Sequence, residues 1–136
     1  MSRYISDPLR QFVSERAGYR CEYCHLPQRF AFFSFHIDHI ISLKHAGGTS
    51  EANLALSCQL CNLNKGSDVA TFLKDEQVPI RFFNPRKDSW DDHFETEASG
   101  YLLAKTLIGE ATVKILNFNH PDSIIERSAL IKINVF

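Results

Sequence analysis

The sequence predicts an α+β fold: a leading helix, then strand, long loop, strand and helix clamped at their base, then a hairpin and more helices. Three observations carry that expectation. Two CxxC pairs, "CEYC" and "CQLC", bracket residues 25–57; an alternating apolar stretch runs into "FHIDHI"; and Pro-led helix starts stand near both ends of the chain.

Taken in order, Asp7 followed by Pro8 marks a helix start, with Asp7 as N-cap, and Leu9, Phe12, Val13 and Ala17 fall on one face. Gly18 stops that helix, which spans 8–17. Residues 30–43 alternate through Phe33, Phe35, Ile37, His39 and Ile41 and read as a strand. "HAGGTSEAN" supplies Gly47 and Gly48 for a long turn, and "NLALSC" reads as a second strand over 53–57, antiparallel to the first. "CQLCNLNKG" starts a short helix that Gly66 ends. Residues 67–93, with Pro79 and Pro85, read as mostly irregular. "HFETEASGYLLAKT" reads as a hairpin turning at Gly100. A helix follows over 107–117 with Ile108, Ala111, Ile115 and Leu116 on one face, and Pro121 opens a last helix reaching 131. The division expected is 1–68 for the stapled core and 69–136 for a C-terminal extension packed on it, one domain in all.

All four cysteines, Cys21, Cys24, Cys58 and Cys61, fall in the two pairs. Two residues between thiolates let a tight turn aim both sulfurs at one ion, and two such turns complete a tetrahedral, structural zinc site. The alternatives are two disulfides or a redox CxxC. The first is disfavoured without a secretion signal, and the second needs only one pair. His25 is a fifth candidate ligand, but four thiolates already fill the site. The insert between the pairs exceeds the ~15–20 residues of a simple zinc ribbon, so something is held between the two knuckles.

Composition narrows the function classes. The chain has 136 residues, 44% hydrophobic and 23% charged, enough to bury a core without covalent staples. No apolar leader and no membrane-length run is visible, which predicts an intracellular, cytoplasmic protein without a membrane partner. Net charge is −1, so no global basic surface announces nucleic acid. The balance is +2 over residues 1–90 and −3 over 91–136. That leaves room for a local basic surface from Arg3, Arg10, Arg16, Arg20, Lys44, Lys65, Arg81, Arg86 and Lys87.

Asp38 and His39 place a carboxylate beside an imidazole in an apolar strand. Alone, such a pair reads as buried polar groups satisfied by backbone. In register with the cysteines, the Gly pair, "NL" and "CNLNKG", however, the pattern "CEYC…IDHI…GG…NL…CQLCNLNKG" resembles the HNH endonuclease family and its ββα-metal, or His-Me finger, active site. The resemblance covers residues 21–66. "LRQFVSERAGYRCEYC" is similar to the approach helix of zinc-bearing members, and "FFNPRKDSWDDHF" with the tail is similar to the extension of small bacterial members. The resemblance implies a zinc-stapled ββα-metal core. It makes Asp38 a ligand of a catalytic divalent metal and His39 the general base. Asn53 becomes the residue that holds the long loop, and Asn62 the second metal ligand in an H-N-N variant.

That allocation is chemically coherent. Phosphodiester hydrolysis needs an activated water and a cation on the phosphoryl group and leaving oxygen. Imidazole, with an ordinary pKa of ~6.5, can take water's proton near neutrality. A carboxylate and an amide carbonyl are hard donors suited to Mg²⁺ or Mn²⁺. Strict alternation sends Asp38 and His39 to opposite faces, so their convergence demands a strand end, a twist or a bulge.

Around the pair, Lys65 is a phosphate candidate, although a Lys also suits any helix C-terminus. Lys44 and His45 are candidates for backbone contacts or simply a solvated loop. His36 is a third ligand, a phosphate contact or, preferably, hydrogen-bonded structure. Asn64 has no assigned role, His93 and Arg86 read as fold contacts, and His120 reads as a surface residue at a helix start.

The implied function is a metal-dependent endonuclease cutting DNA to 5′-phosphate and 3′-hydroxyl ends, acting alone, as a homodimer, or within a restriction or defence complex. The alternative is a zinc module that binds nucleic acid or protein without cutting.

Overall fold

The computed structural model describes residues 4–136, so Arg3, named among the basic candidates, lies outside the described residues. Two units divide the chain, Met1–Val69 and Ala70–Phe136.

In the first unit, α1 spans Asp7–Arg16. Its cap is Ser6, not Asp7: the Ser6 hydroxyl accepts the Leu9 N–H at 3.3 Å, and Asp7 sits in the first turn, where its charge favours the helix dipole. Strand β1, His36–His39, pairs antiparallel with β2, Leu54–Ser57, and α2 follows over Gln59–Lys65. Val13 of α1 packs with Ile5, Leu54 and Leu56, and Leu9, Ala17, Phe35 and Ile37 close around them. Phe12 stays outside this core, under the Arg16 guanidinium. Arg16 also donates to the carbonyls of Glu51 (2.9 Å) and Leu54 (2.7 Å), fixing the end of α1 against the start of β2.

The first strand is far shorter than the 30–43 expected. Residues 28–30 and 43–45 are single 3₁₀ turns, and 31–35 form a loop with Phe32 and Phe33 in solvent. Alternation of aromatics marks a strand only where a partner strand accepts its ladder, and β2 offers four residues.

In the second unit, β3 (Ala70–Thr71) pairs with β4 (Ile80–Arg81), and α3 spans Trp90–His93. Ordered elements therefore interrupt the stretch expected to be irregular. The expected hairpin is β5 (Phe94–Thr96) with β6 (Leu102–Ala104), turning through Gly100 at φ 94°. A Cβ there would also strike the Ile124 carbonyl. α4 spans Leu107–Leu116 and α5 Pro121–Lys132. The buried positions of α4 are Gly109, Ala111, Thr112 and Leu116, so its inner face is rotated from the one expected through Ile108 and Ile115. Thr112 is turned inward for a reason: its hydroxyl accepts the Phe83 N–H at 2.8 Å and donates to Ile108. Phe83, Phe94 and Phe118 stack at the centre, with Phe94 touching both.

Candidate active site

The two knuckles bring the four sulfurs within 4.8 Å of one another, all buried. In each, the second cysteine's N–H points at the first one's sulfur: Cys24 N to Cys21 Sγ at 3.5 Å and Cys61 N to Cys58 Sγ at 3.4 Å. Tetrahedral zinc with Zn–S bonds of ~2.3 Å holds sulfurs ~3.8 Å apart, and Cys24 and Cys58 stand 3.7 Å apart. That spacing fits zinc and is far too long for a disulfide. Burial works to raise the Cys21 thiol, but three neighbouring sulfurs stabilise its thiolate and push it well below its ordinary value, while Cys24 and Cys61 are raised as their hydrogens serve neighbouring sulfurs. Four buried sulfurs within 4.8 Å of one another are a prepared cation site. His25 lies outside the sulfur cluster, in left-handed backbone just after the first knuckle.

The first knuckle is tied to β2 by reciprocal bonds, Glu22 N–H to the Leu56 carbonyl and Leu56 N–H to the Glu22 carboxylate, both 2.8 Å. This fixes Tyr23, between the cysteines, with its ring fully buried and its hydroxyl donating to Asp38 Oδ2 at 2.6 Å. From α2, Lys65 reaches the same carboxylate, 3.1 Å from Oδ2 and 3.4 Å from Oδ1, and the His39 carbonyl at 3.1 Å. Both ends of the pair are buried. Burial raises the Asp38 carboxyl above its ordinary value, opposed by the Lys65 charge and the Tyr23 bond, and burial beside Asp38 pushes Tyr23 well up.

β1 ends at His39. Asp38 and His39 both line one open cleft of about 370 Å³, together with Ile37, Ser42, Lys44 and Asn62. His39 Nε2 lies 2.9 Å from the Thr49 hydroxyl. Thr49 in turn follows a loop clasped by Asn53, whose Oδ1 accepts the Ile41 N–H (2.9 Å) and whose Nδ2 donates to the carbonyls of Ile41 and Gly48 (both 2.8 Å). Gly47 is required here because a Cβ would lie 1.7 Å from the Ile41 oxygen and 2.8 Å from Asn53 Nδ2.

The cleft thus gathers Asp38, His39, Asn62 and Lys44. His36 and His45 are exposed and do not line it. Lys65, read from sequence as a phosphate contact at a helix end, is instead buried against Asp38. Tyr23 and Thr49 were not visible as partners of the pair. The signal for Tyr23 was an aromatic inside a knuckle, and for Thr49 a hydroxyl directly after the Gly pair.

A hard divalent ion fits this donor set. A carboxylate has about four acceptor sites, and among the described residues Asp38 Oδ1 meets Lys65 Nζ only at 3.4 Å, which leaves it capacity, while Asn62 lines the same cleft. Such an ion would have to share the carboxylate with the Lys65 ammonium, which would favour one held mostly by water and phosphate oxygens.

Antiparallel strands, a crossing helix and a Cys₄ staple around an Asp-His pair define a ββα-metal architecture. Residues 21–68 match the family model for HNH endonuclease, a family whose members are generally nucleases; the second unit lies outside that match. No curated protein and no solved structure matches the chain.

Proposed function

We propose that this protein is a divalent-metal-dependent endonuclease that hydrolyses DNA phosphodiesters, leaving 5′-phosphate and 3′-hydroxyl ends. The observation that carries the reading is the convergence of Asp38, His39 and Asn62 on one cleft inside the HNH segment. We assign Nε2–H as the donor to the Thr49 hydroxyl, which leaves Nδ1 as the basic nitrogen; that atom takes the proton as water's oxygen attacks phosphorus and the bond to the 3′ oxygen breaks, the 3′ oxygen taking a proton from solvent. Asp38, held by Tyr23 and Lys65, and Asn62 would hold Mg²⁺ or Mn²⁺. When bound, that ion stabilises charge on the phosphoryl and leaving oxygens. The cysteines hold zinc as a staple and take no part in the chemistry. One cleft per chain suits nicking, with duplex breaks needing two chains or two events. The reduced cysteines suit a cytoplasmic setting.

The chemistry of the ends is the test. Nicks with 5′-phosphate and 3′-hydroxyl termini are resealed by DNA ligase alone, whereas 3′-phosphate ends resist it and would refute the proposed bond cleavage. One observation favours the reading of a binding module that does not cut: the Lys65 ammonium already serves Asp38. On that reading the protein retains DNA on a gel but relaxes no plasmid with any divalent ion.

A further inference from the structure

The loop entering β1 carries a feature that catalysis does not use. Phe32 is 95% exposed and Phe33 62%, their rings edge-to-face at 5.8 Å, and Phe30, 39% exposed, lies under the Arg29 guanidinium at 4.9 Å. Single exposed apolar residues are ordinary, but three phenylalanines in four positions form a patch. The loop does not hang free. A 3₁₀ turn with the Ala31 N–H on the Gln28 carbonyl fixes one end, and Phe35, packed on the core, fixes the other. From residue 23 to 37 the chain has no carboxylate, only Arg29, His25 and His36 as ionisable groups besides Tyr23 and Cys24.

We propose that Phe32 and Phe33 form a stacking platform for unpaired bases of the nucleic-acid strand whose phosphate enters the cleft of Asp38 and His39. This rests on the nuclease reading and narrows its substrate to single-stranded or locally opened DNA. An aromatic face accepts any base that is out of its stack, and a nearby guanidinium with no carboxylates suits the phosphates that accompany it. A second copy of the chain is a poorer occupant. The two rings expose on the order of 300 Å², against ~800 Å² per partner in a standard stable interface. Reach sets the footprint. Phe33 is five residues before Asp38, at most ~17 Å along an extended chain, or about five nucleotides at ~3.4 Å per nucleotide.

The experiment uses the full zinc-loaded chain and oligonucleotides carrying 2-aminopurine at successive positions, offered single-stranded, in a bubble and in unbroken duplex. His39→Ala serves for binding without turnover, alone and combined with Phe32→Ser and Phe33→Ser. Zinc content and thermal unfolding verify that these surface changes leave the fold intact. Fluorescence is expected to change within about five nucleotides of the cut on the first two substrates. The serine changes should remove that signal, weaken binding about ten- to hundredfold and, made in the chain with His39 intact, raise KM with kcat retained. Binding and fluorescence indifferent to the serines would overturn the proposal, as would unbroken duplex bound as tightly as single strand. So would a dimer that the serines convert to monomer, which would identify a second copy as the occupant. If the chain never cuts yet the Phe-dependent signal persists, the platform stands and the nuclease reading falls.

Discussion

Replacing Asn53 by alanine removes one clasp and tests how the loop behind His39 is held. The side chain closes residues 41–48 through three hydrogen bonds, accepting from the Ile41 N–H and donating to the carbonyls of Ile41 and Gly48. Each net bond is worth about 1 kcal/mol. Since the two to Ile41 are solvent-exposed and belong to the low end, the sum is about 2 kcal/mol. The Ile41 amide should then exchange about thirtyfold faster in native-state hydrogen exchange, because each 1.4 kcal/mol is about tenfold. Gly47→Ala attacks the same clasp from the other side, by driving a methyl into the Ile41 oxygen. The two changes should therefore be strongly non-additive, the double variant losing little beyond Gly47→Ala alone. Unchanged Ile41 exchange in Asn53→Ala, or full additivity in the double variant, would refute the clasp.

Thr49→Val should lower kcat for nicking about ten- to hundredfold with KM unchanged, since valine matches threonine in shape but lacks the hydroxyl beside His39 Nε2, and Thr49→Ser, which keeps the hydroxyl, should retain near wild-type kcat. Steady-state kinetics checks this, and ¹⁵N shifts of the His39 ring should report a protonated Nε2 in the wild type. In the second unit, Arg81 grips Asp88 with two bonds of 2.7 and 2.8 Å, and this pairing lowers the Asp88 carboxyl to about 2. A depressed folded pKa gives stability that is complete above the unfolded value of ~3.9 and lost as pH falls through about 2. Because Arg81 is half exposed, screening reduces the contribution to about 1 kcal/mol. Urea unfolding followed by Trp90, the single tryptophan, should show Asp88→Asn less stable by that amount at pH 6 and converging with wild type by pH 2. Stripping the zinc should unfold the first unit, as structural zinc supplies about 10–16 kcal/mol of apparent binding energy. The check is loss of its dispersed amide signals on chelation, while β5, β6, α4 and α5 of the second unit keep theirs.

Legibility from sequence followed the range over which each interaction acts. The cysteine pairs, Asp38 with His39 and the Gly-rich turn were readable because spacing along the chain determines their geometry. Tyr23 on Asp38 and Thr49 on His39 join residues fifteen and ten apart through turns whose paths no local pattern specifies. The pairing of Lys65 with Asp38 was not legible because a lysine at a helix C-terminus is usually solvated, and only the packing of α2 against β1 makes it the partner of a buried carboxylate. The aromatic run over 30–35 imitated a strand, although Phe30, Phe32 and Phe33 are exposed and only Phe35 packs on the core. Two-residue strands such as β3 and β4 span a single period of alternation, too little for a pattern to reveal them.

The most direct test of the central claim is relaxation of supercoiled plasmid by zinc-loaded protein with Mg²⁺ or Mn²⁺, beside EDTA, His39→Ala and Asp38→Asn. Nicking is expected of the wild type alone, abolished by EDTA and by His39→Ala while that variant retains four-cysteine zinc and its fold. Equal cutting by His39→Ala would contradict the claim, because the proton would then have a different acceptor.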